Sequence, residues 1–178
     1  MTGSIPGCGP TWPAPASSRP RCPIRSALRA VCDWAAATKL ASGQRVIDQE
    51  WVQLNLARVH AKVEFLKLVN WRIAAEADAG AGGQGSGAPA GGGHGLGPAA
   101  ASATKVYGTE LATEAYRLLM EVLGNRADVR EGSPGAFLSG RIERMHRAAL
   151  ILTFGGGTNE VQRDIIAAAG LGLPAANR

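Results

Sequence analysis

Two long stretches of the 178-residue chain repeat apolar residues at steps of three and four, the spacing that places side chains on one face of an α-helix. The pattern predicts one helix over residues 48–77 and another over residues 99–123. The apolar faces consist of Val52, Leu56, Val59, Val63 and Leu66 in the first helix and of Tyr107, Leu111, Ala115, Leu118 and Val122 in the second. Because each helix has an apolar face to bury, we expect the two to pack in a helical bundle.

Three shorter segments complete the predicted bundle. One covers residues 26–39, with Ser26 as its cap, and the last covers residues 159–169 and is ended by glycines and a proline. Between them, Ser133 and Pro134 predict a helix start, because Ser caps a helix and Pro is tolerated at its first position. No stretch alternates apolar and polar residues strictly, so the predicted fold is all-α, an up-down bundle of four to five helices.

Two segments of biased composition lie outside these helices. Residues 1–25 mix Pro, Gly, Ser and Arg and have too few apolar side chains to offset the entropy of ordering, so we predict a disordered segment. Residues 80–97 are a glycine-rich linker, which has no lysine at the spacing of a nucleotide loop and no preceding strand. The predicted helical domain therefore covers residues 26–178, interrupted by this linker.

Charge and composition narrow the classes of partner. The net charge is +5, but the basic residues are scattered among acidic ones and aromatic residues make up only 5%, so we expect no nucleic-acid partner. No apolar run is long enough to cross a bilayer, so no membrane partner is expected either.

Cys8, Cys22 and Cys32 lack zinc-site spacing and the histidines are isolated, which predicts no metal site. Prolines in the first 25 residues argue against a secretory signal and favour a cytoplasmic protein.

A glycine turn at residues 154–158 leads into the last predicted helix. Its three glycines allow positive φ, and Thr158 or Asn159 can cap the helix. Free N–H groups at such a turn would suit an anion. A plain loop between two helices, with glycine as punctuation, explains the same residues, and local chemistry leaves both interpretations open.

Arg141, Arg144 and Arg147 follow one another at three-residue spacing on the fourth predicted helix. This spacing places them along one side of the helix. A solvated or salt-bridged face explains them better than a stripe that faces a ligand.

The segment from Gly156 to Ile166, together with the closing Gly-Leu-Gly-Leu-Pro of residues 170–174, resembles the end of acyl-CoA dehydrogenases, particularly the actinobacterial branch active on lipid or steroid side chains. Residues 105–124 look like the penultimate long helix of that family, and residues 52–72 like the helix before it. The resemblance extends from near Leu28 to the end of the chain and concerns the family's C-terminal helical domain.

The resemblance implies a fold, a cofactor and a reaction. A whole subunit of the family has an N-terminal helical domain, a middle β domain and this C-terminal bundle, with FAD held between domains and against a neighbouring subunit. A carboxylate removes the α-proton of an acyl-CoA, the β-hydrogen leaves as hydride to the flavin, and the 2,3-enoyl-CoA results. This chain corresponds to the C-terminal domain, so the resemblance implies a truncated or split subunit that is incomplete for catalysis alone.

A different class of function fits the same resemblance. The chain would then be a non-catalytic interaction subunit that completes the flavin site of a heteromeric acyl-CoA dehydrogenase. Both hypotheses imply a homo- or hetero-oligomer with acyl-CoA dehydrogenase subunits, and an acyl-CoA substrate only in a complete assembly.

No acidic residue stands at either position where the family carries its catalytic base. In one branch of the family a Glu stands directly before the Gly-Thr pair, and here Gly156 occupies that position. In a second branch the Glu would fall near Pro13, where the chain has no acidic residue. Since a glycine or proline side chain cannot accept a proton, we predict no catalytic residue in this chain.

The resemblance also assigns flavin contacts. Gly157 and Thr158 correspond to the Gly-Thr pair that contacts the FAD pyrophosphate, and Glu160 corresponds to the residue that reaches the ribose. Lys39 replaces the Arg of an Arg-x-x-Phe-Gly contact. Gly124 belongs to a Gln-x-Phe-Gly-Gly contact whose Gln is replaced by Glu121.

Overall fold

The computed structural model describes residues 23–81 and 97–174 and contains five α-helices in these ranges. They are α1 Pro23–Ala37, α2 Glu50–Ala81, α3 Pro98–Leu123, α4 Arg141–Leu152 and α5 Asn159–Ile165, which continues as a π-helical segment, Ile166–Gly170. The described residues contain no β-strand, only an isolated bridge between Lys39 and Arg45. The all-α prediction is therefore confirmed. The interpretations of residues 1–22 and 82–96 fall outside the described residues.

The core forms around α3, which packs against each of the other four helices. The predicted apolar faces of α2 and α3 are confirmed, because eight of their ten residues are buried and Leu66 and Tyr107 are half-buried. Val52 and Leu119 are fully enclosed. Burying a side chain of this kind stabilises the fold by about 1.5–3 kcal/mol, so this shared face is what holds α2 to α3.

The start of α1 and the end of α2 extend beyond their predicted bounds. Helix α1 begins at Pro23 instead of Ser26, because Pro is tolerated in the first turn and Ile24 is buried in the core. Three residues of the segment predicted to be disordered are therefore helical. Helix α2 continues to Ala81, two residues into the predicted linker. No helix of the described residues is both long and apolar enough to cross a membrane.

The predicted start of the fourth helix at Ser133 and Pro134 is wrong. Helix α4 begins at Arg141, after a 3₁₀ turn, Phe137–Gly140, in which Leu138 and Ser139 adopt left-handed φ values of 49° and 56°. The backbone of Gly140 packs so closely on the preceding loop that a Cβ there would lie 2.5 Å from the Glu131 nitrogen. Packing between loop segments therefore overrides the local start signal.

Candidate functional site

The glycine turn joins α4 to α5 and exposes its backbone to solvent. Gly156 and Gly157 have φ values of 71° and 89°, which L side chains rarely adopt. Thr158 is the N-cap of α5, since its hydroxyl oxygen accepts a hydrogen bond from the Val161 N–H at 3.4 Å. The Gln162 side-chain amide donates to the Gly156 carbonyl at 2.9 Å. The helix start thus holds the turn in one conformation.

One lysine of α3 ties this turn to the bundle. The Lys105 ammonium donates to the carbonyls of Thr153 and Gly157, at 3.1 and 2.8 Å, and to the Asn159 side-chain oxygen at 2.7 Å. These acceptors belong to the end of α4, the glycine turn and the first residue of α5. Sequence reasoning missed the role of Lys105, because its partners lie 48 to 54 positions away and leave no local signature.

Asn159 is a buried polar residue whose amide is hydrogen-bonded on both sides. Its side chain oxygen also accepts from the Thr109 hydroxyl at 3.2 Å, and its nitrogen donates to Glu110 at 3.5 Å. Glu110 in turn forms an ion pair with Arg163 of α5. Among the described residues every fully buried side-chain nitrogen or oxygen has a partner. The start of α5 is consequently positioned by polar contacts to α3.

Glu160 carries its charge at the start of α5. Its own backbone N–H and the Thr158 hydroxyl donate to the carboxylate and hold the pKa of Glu160 below its ordinary value. The positive charges of Arg163 and Lys105 act in the same direction. Negative charge near a helix N-terminus is also favoured by the helix dipole. A carboxylate held in its ionised form is a weak base, so Glu160 is suited to accept hydrogen bonds and not to abstract a proton.

An open cleft of about 540 Å³ lies beside the turn, between α3, α5 and the end of α4; we call it the α3–α5 cleft. Eight of its nine lining residues are polar or charged, but their apolar atoms form the larger part of its wall. Glu110 is paired with Arg163, and Glu114 is paired with Lys62 of α2. Phe154, at the rim, leaves 70% of its surface exposed. The cleft can therefore take a ligand with both polar and apolar parts beside the glycine turn.

The remaining predicted flavin contacts lie elsewhere. Gly124 follows the last residue of α3, about 28 Å along the helix from Lys105 at 1.5 Å per residue. Lys39 is exposed in the connection between α1 and α2. In the described residues no hydrogen bond or ion pair links either of them to the glycine turn. The structure thus groups Gly157, Thr158 and Glu160 and leaves the other two apart.

The charges near Gly124 are balanced. Glu121, which stands where the family has Gln, forms an ion pair with Arg117 and accepts from the Asn55 amide at 3.2 Å.

On α4, Arg144 pairs with Glu131 and Arg147 pairs with Glu143. The salt-bridged interpretation is thereby confirmed for these two arginines. Within residues 23–81 and 97–174 no three His, Cys, Asp or Glu residues are grouped to hold a metal ion.

Comparison with known proteins gives consistent matches. The family model "Acyl-CoA dehydrogenase, C-terminal domain" matches residues 20–171. The acyl-CoA dehydrogenase FadE26 of Mycobacterium tuberculosis is 64% identical over 156 residues, which cover 88% of this chain and 36% of the relative. The chain thus spans about a third of the length of that relative.

Solved structures match over the same part of the chain. The crystal structure of the ChsE4–ChsE5 complex from Mycobacterium tuberculosis gives a TM-score of 0.75 at 62% identity, covering 86% of this chain and 36% of that one. The steroid acyl-CoA dehydrogenase Tcur3481–Tcur3483 gives a TM-score of 0.70 at 38% identity, covering 86% and 35%. In each case the matched part is again about a third of the larger chain.

Proposed function

Since this chain belongs to the acyl-CoA dehydrogenase family and matches its C-terminal domain over residues 20–171, we propose that it supplies the C-terminal helical domain of an FAD-dependent acyl-CoA dehydrogenase. Such an enzyme oxidises an acyl-CoA to the 2,3-enoyl-CoA. The chain spans only about a third of its relatives, so in this proposal it works with the domains that lie in their other two thirds. We further propose that it acts in the cytoplasm.

The geometry of the glycine turn carries the proposal. Gly157 presents an exposed backbone and the half-buried Thr158 a hydroxyl group at the start of α5, and the Lys105 ammonium donates to the Gly157 carbonyl. A Cβ at Gly157 would lie 3.1 Å from the Gln162 amide and would need a positive φ, so glycine keeps this surface open. These features fit a pyrophosphate, which would contact Gly157 and Thr158 while Glu160 reaches the ribose.

Gly124 and Lys39 would serve a different flavin contact. They lie away from the glycine turn, and Gly124 is at the opposite end of α3 from Lys105. In our proposal they contact a flavin held against a neighbouring subunit. The ion pair of Glu121 with Arg117 supports this assignment, because the guanidinium offsets the negative charge that would otherwise repel a pyrophosphate beside Gly124.

The chain's own residues contribute binding and not proton transfer. Gly156 has no side chain to accept a proton, and the pKa of Glu160 is lowered. Glu110 and Glu114, the other acids of the α3–α5 cleft, are held in ion pairs. FAD, when bound, supplies the hydride acceptor. The carboxylate base would then come from another part of the assembly.

The test compares the full chain alone with the chain co-purified with acyl-CoA dehydrogenase subunits. We expect little bound flavin and no acyl-CoA oxidation for the lone chain, measured by flavin absorbance and by reduction of an electron acceptor. Stoichiometric FAD and turnover by the lone chain would overturn the proposal. In the assembly, Thr158→Ala should lower flavin retention and Thr158→Ser should restore it, because Ser keeps the hydroxyl and the cap.

Thr113→Val is the matched control for these variants. Thr113 lines the α3–α5 cleft beside the turn, and its hydroxyl donates to the Thr109 carbonyl within α3. We expect its flavin retention to equal that of the unmodified chain. Equal loss in Thr113→Val and Thr158→Ala would mean that the cleft is perturbed generally, and the pyrophosphate assignment to Thr158 would be wrong.

A second candidate function is a non-catalytic interaction subunit that completes the flavin site of a heteromeric acyl-CoA dehydrogenase. The observation that favours it is that two of the similar structures are described as pairs, ChsE4–ChsE5 and Tcur3481–Tcur3483. Co-expression with complete dehydrogenase subunits, followed by size exclusion, tests it. Absence of both co-migration and a gain in flavin retention would exclude this function.

A further inference from the structure

Residues 133–140, just before α4, carry the signals of a helix start that the structure does not use. Ser133 can cap a helix, and a residue before proline favours the extended conformation of an N-cap. Pro134 fits the first helical position. If α4 is continued back to Pro134, Leu138 lies within about 40° of the buried Ile142 on the helix surface. Cap, first residue and apolar face therefore all favour a longer α4.

The structure instead places three consecutive residues in the left-handed region. Leu138, Ser139 and Gly140 have φ values of 49°, 56° and 75°. A left-handed φ disfavours a non-glycine residue by roughly 5- to 30-fold in relative population. Gly140 is also the N-cap of α4, where it offers no side chain to accept from the first N–H groups. This start of α4 strains two residues and lacks a capping side chain.

Three packing contacts hold the left-handed turn in place. The backbone of Gly140 packs on the preceding loop so closely that a Cβ would lie 2.5 Å from the Glu131 nitrogen. Arg144 of α4 donates to both carboxylate oxygens of Glu131 at 3.2 Å. The Phe137 ring makes an edge-on contact with Trp34 of α1, with the ring centres 6.0 Å apart. Tertiary contacts thus select a turn that the local preferences oppose.

We propose that residues 133–140 form a two-state switch. One state is the observed left-handed turn, and in the other state α4 begins at Pro134. Extension keeps Leu138 on the buried face of α4, whereas Phe137 would lie about 140° from Ile142 and leave that face. The edge-on contact with α1 is then lost.

Opposing preferences of similar size make both states accessible. The extended state relieves the left-handed φ of Leu138 and Ser139 and gains a serine at the cap position. It gives up the three packing contacts and places Gly135 and Gly140 inside a helix, where glycine is about fivefold less favourable than alanine. We therefore expect the extended state as a minor conformer, at a population of about 0.1–10%.

The switch lies at the end of the bundle from which Lys39 and Gly124 emerge. Thr38, the residue before Lys39, donates its N–H to the carbonyl of Trp34 at 2.9 Å, and Trp34 is the α1 residue that contacts Phe137. The loop that ends in the switch begins at Gly124, directly after α3. A molecule that binds this end better in one state shifts the two populations. The inference goes beyond the proposed function and does not rest on flavin binding.

The first test is Gly140→Ala in the full chain. The added Cβ clashes with Glu131 in the observed turn, while alanine favours a helix. In NMR spectra, we expect Leu138 and Ser139 to lose the strong intraresidue amide–α-proton NOE of a positive φ and to gain helical i to i+3 NOEs. Gly172→Ala is the matched control, because Gly172 also has a positive φ of 65° and open space around it. It should leave these NOEs unchanged.

A second pair of variants keeps the test independent of whether Gly140→Ala folds. Gly135 has a φ of 83° and open space, so Gly135→Ala strains the observed turn and favours a helix. We expect the extended population to rise at least about tenfold, measured by relaxation dispersion or by averaged chemical shifts. Ser139 is exposed, and glycine adopts a left-handed φ freely. Adding Ser139→Gly to Gly135→Ala should therefore lower that population again by at least about fivefold.

Three results would overturn the proposal. The first is a folded Gly140→Ala variant in which Leu138 and Ser139 keep the NOEs of a positive φ or show no helical NOEs. The second is a Gly135→Ala variant whose extended population does not rise. The third is a rise that Ser139→Gly does not reverse.

Discussion

Replacing Lys105 by Met should loosen the start of α5. The effect should be larger than is usual for a half-buried lysine on a helix. The Met side chain has similar length and keeps the apolar contacts of the lysine stem, so the substitution removes mainly the ammonium. That group holds three acceptors, the carbonyls of Thr153 and Gly157 and the side-chain oxygen of Asn159, at 3.1, 2.8 and 2.7 Å. The perturbation therefore tests whether one charge fixes the glycine turn.

The magnitude follows from what each acceptor does afterwards. A hydrogen bond from a charged donor contributes about 1.5–3 kcal/mol net. Gly157 is exposed and Thr153 half-buried, so their carbonyls regain hydrogen bonds from water at small cost. Asn159 is only 5% exposed, and its oxygen retains just the Thr109 hydroxyl. We therefore expect a loss of about 2–3 kcal/mol in the free energy of unfolding, close to the value of one charged hydrogen bond.

Urea unfolding followed by circular dichroism measures this loss, and amide hydrogen exchange locates it. The amides of α5 should lose protection while those of the α2 and α3 core keep theirs, because opening is local. Lys67→Met is the matched control. Within its own helix, Lys67 makes one ion pair, to Glu64 at 3.3 Å, and one cation–π contact, with its ammonium 4.5 Å from the centre of the Trp71 ring. Both contacts are at the surface, so its replacement should cost about 1 kcal/mol.

Two results would refute the reasoning. One is a loss in Lys105→Met no larger than in Lys67→Met. The other is a larger loss with unchanged exchange in α5, which would mean that Lys105 stabilises the bundle and does not position the turn. Either outcome would also remove the rigid support that the proposed pyrophosphate contact assumes.

Two further predictions concern backbone packing and pH. Gly140→Ala should destabilise the fold by about 2–4 kcal/mol in urea unfolding, because its Cβ would lie 2.5 Å from the Glu131 nitrogen. Gly135 has a similar φ but open space around it, so Gly135→Ala should cost only about 1–2 kcal/mol. Equal losses in the two variants would contradict the clash at Gly140. The folded pKa of Glu160 lies below the ordinary 4.5, so the stability from its carboxylate is present above pH 4.5 and is lost as the pH falls below it. Urea midpoints of Glu160→Gln and the unmodified chain should therefore converge in acid, and a difference independent of pH would count against this cause.

Local patterns predicted the helices well where hydrogen bonds and packing both follow the helical repeat. The apolar faces of α2 and α3, and a cap at either Thr158 or Asn159, were predicted because each depends on residues within a few positions. The start of α4 was not, since the left-handed Leu138 and Ser139 are held by the contact of Gly140 with a loop nine residues away. Flavin contacts and the absence of a base came from the family resemblance and stay predictions.

The sequence by itself determined that the chain is helical, where its buried faces lie and that a glycine turn precedes a capped helix. Each of these features depends on residues that are only a few positions apart, because side chains three or four positions apart share one face of a helix. Only the tertiary structure decided what holds that turn. Lys105, Thr109 and Glu110 come from a helix some 50 positions away, and nothing in the local spacing connects them to Asn159.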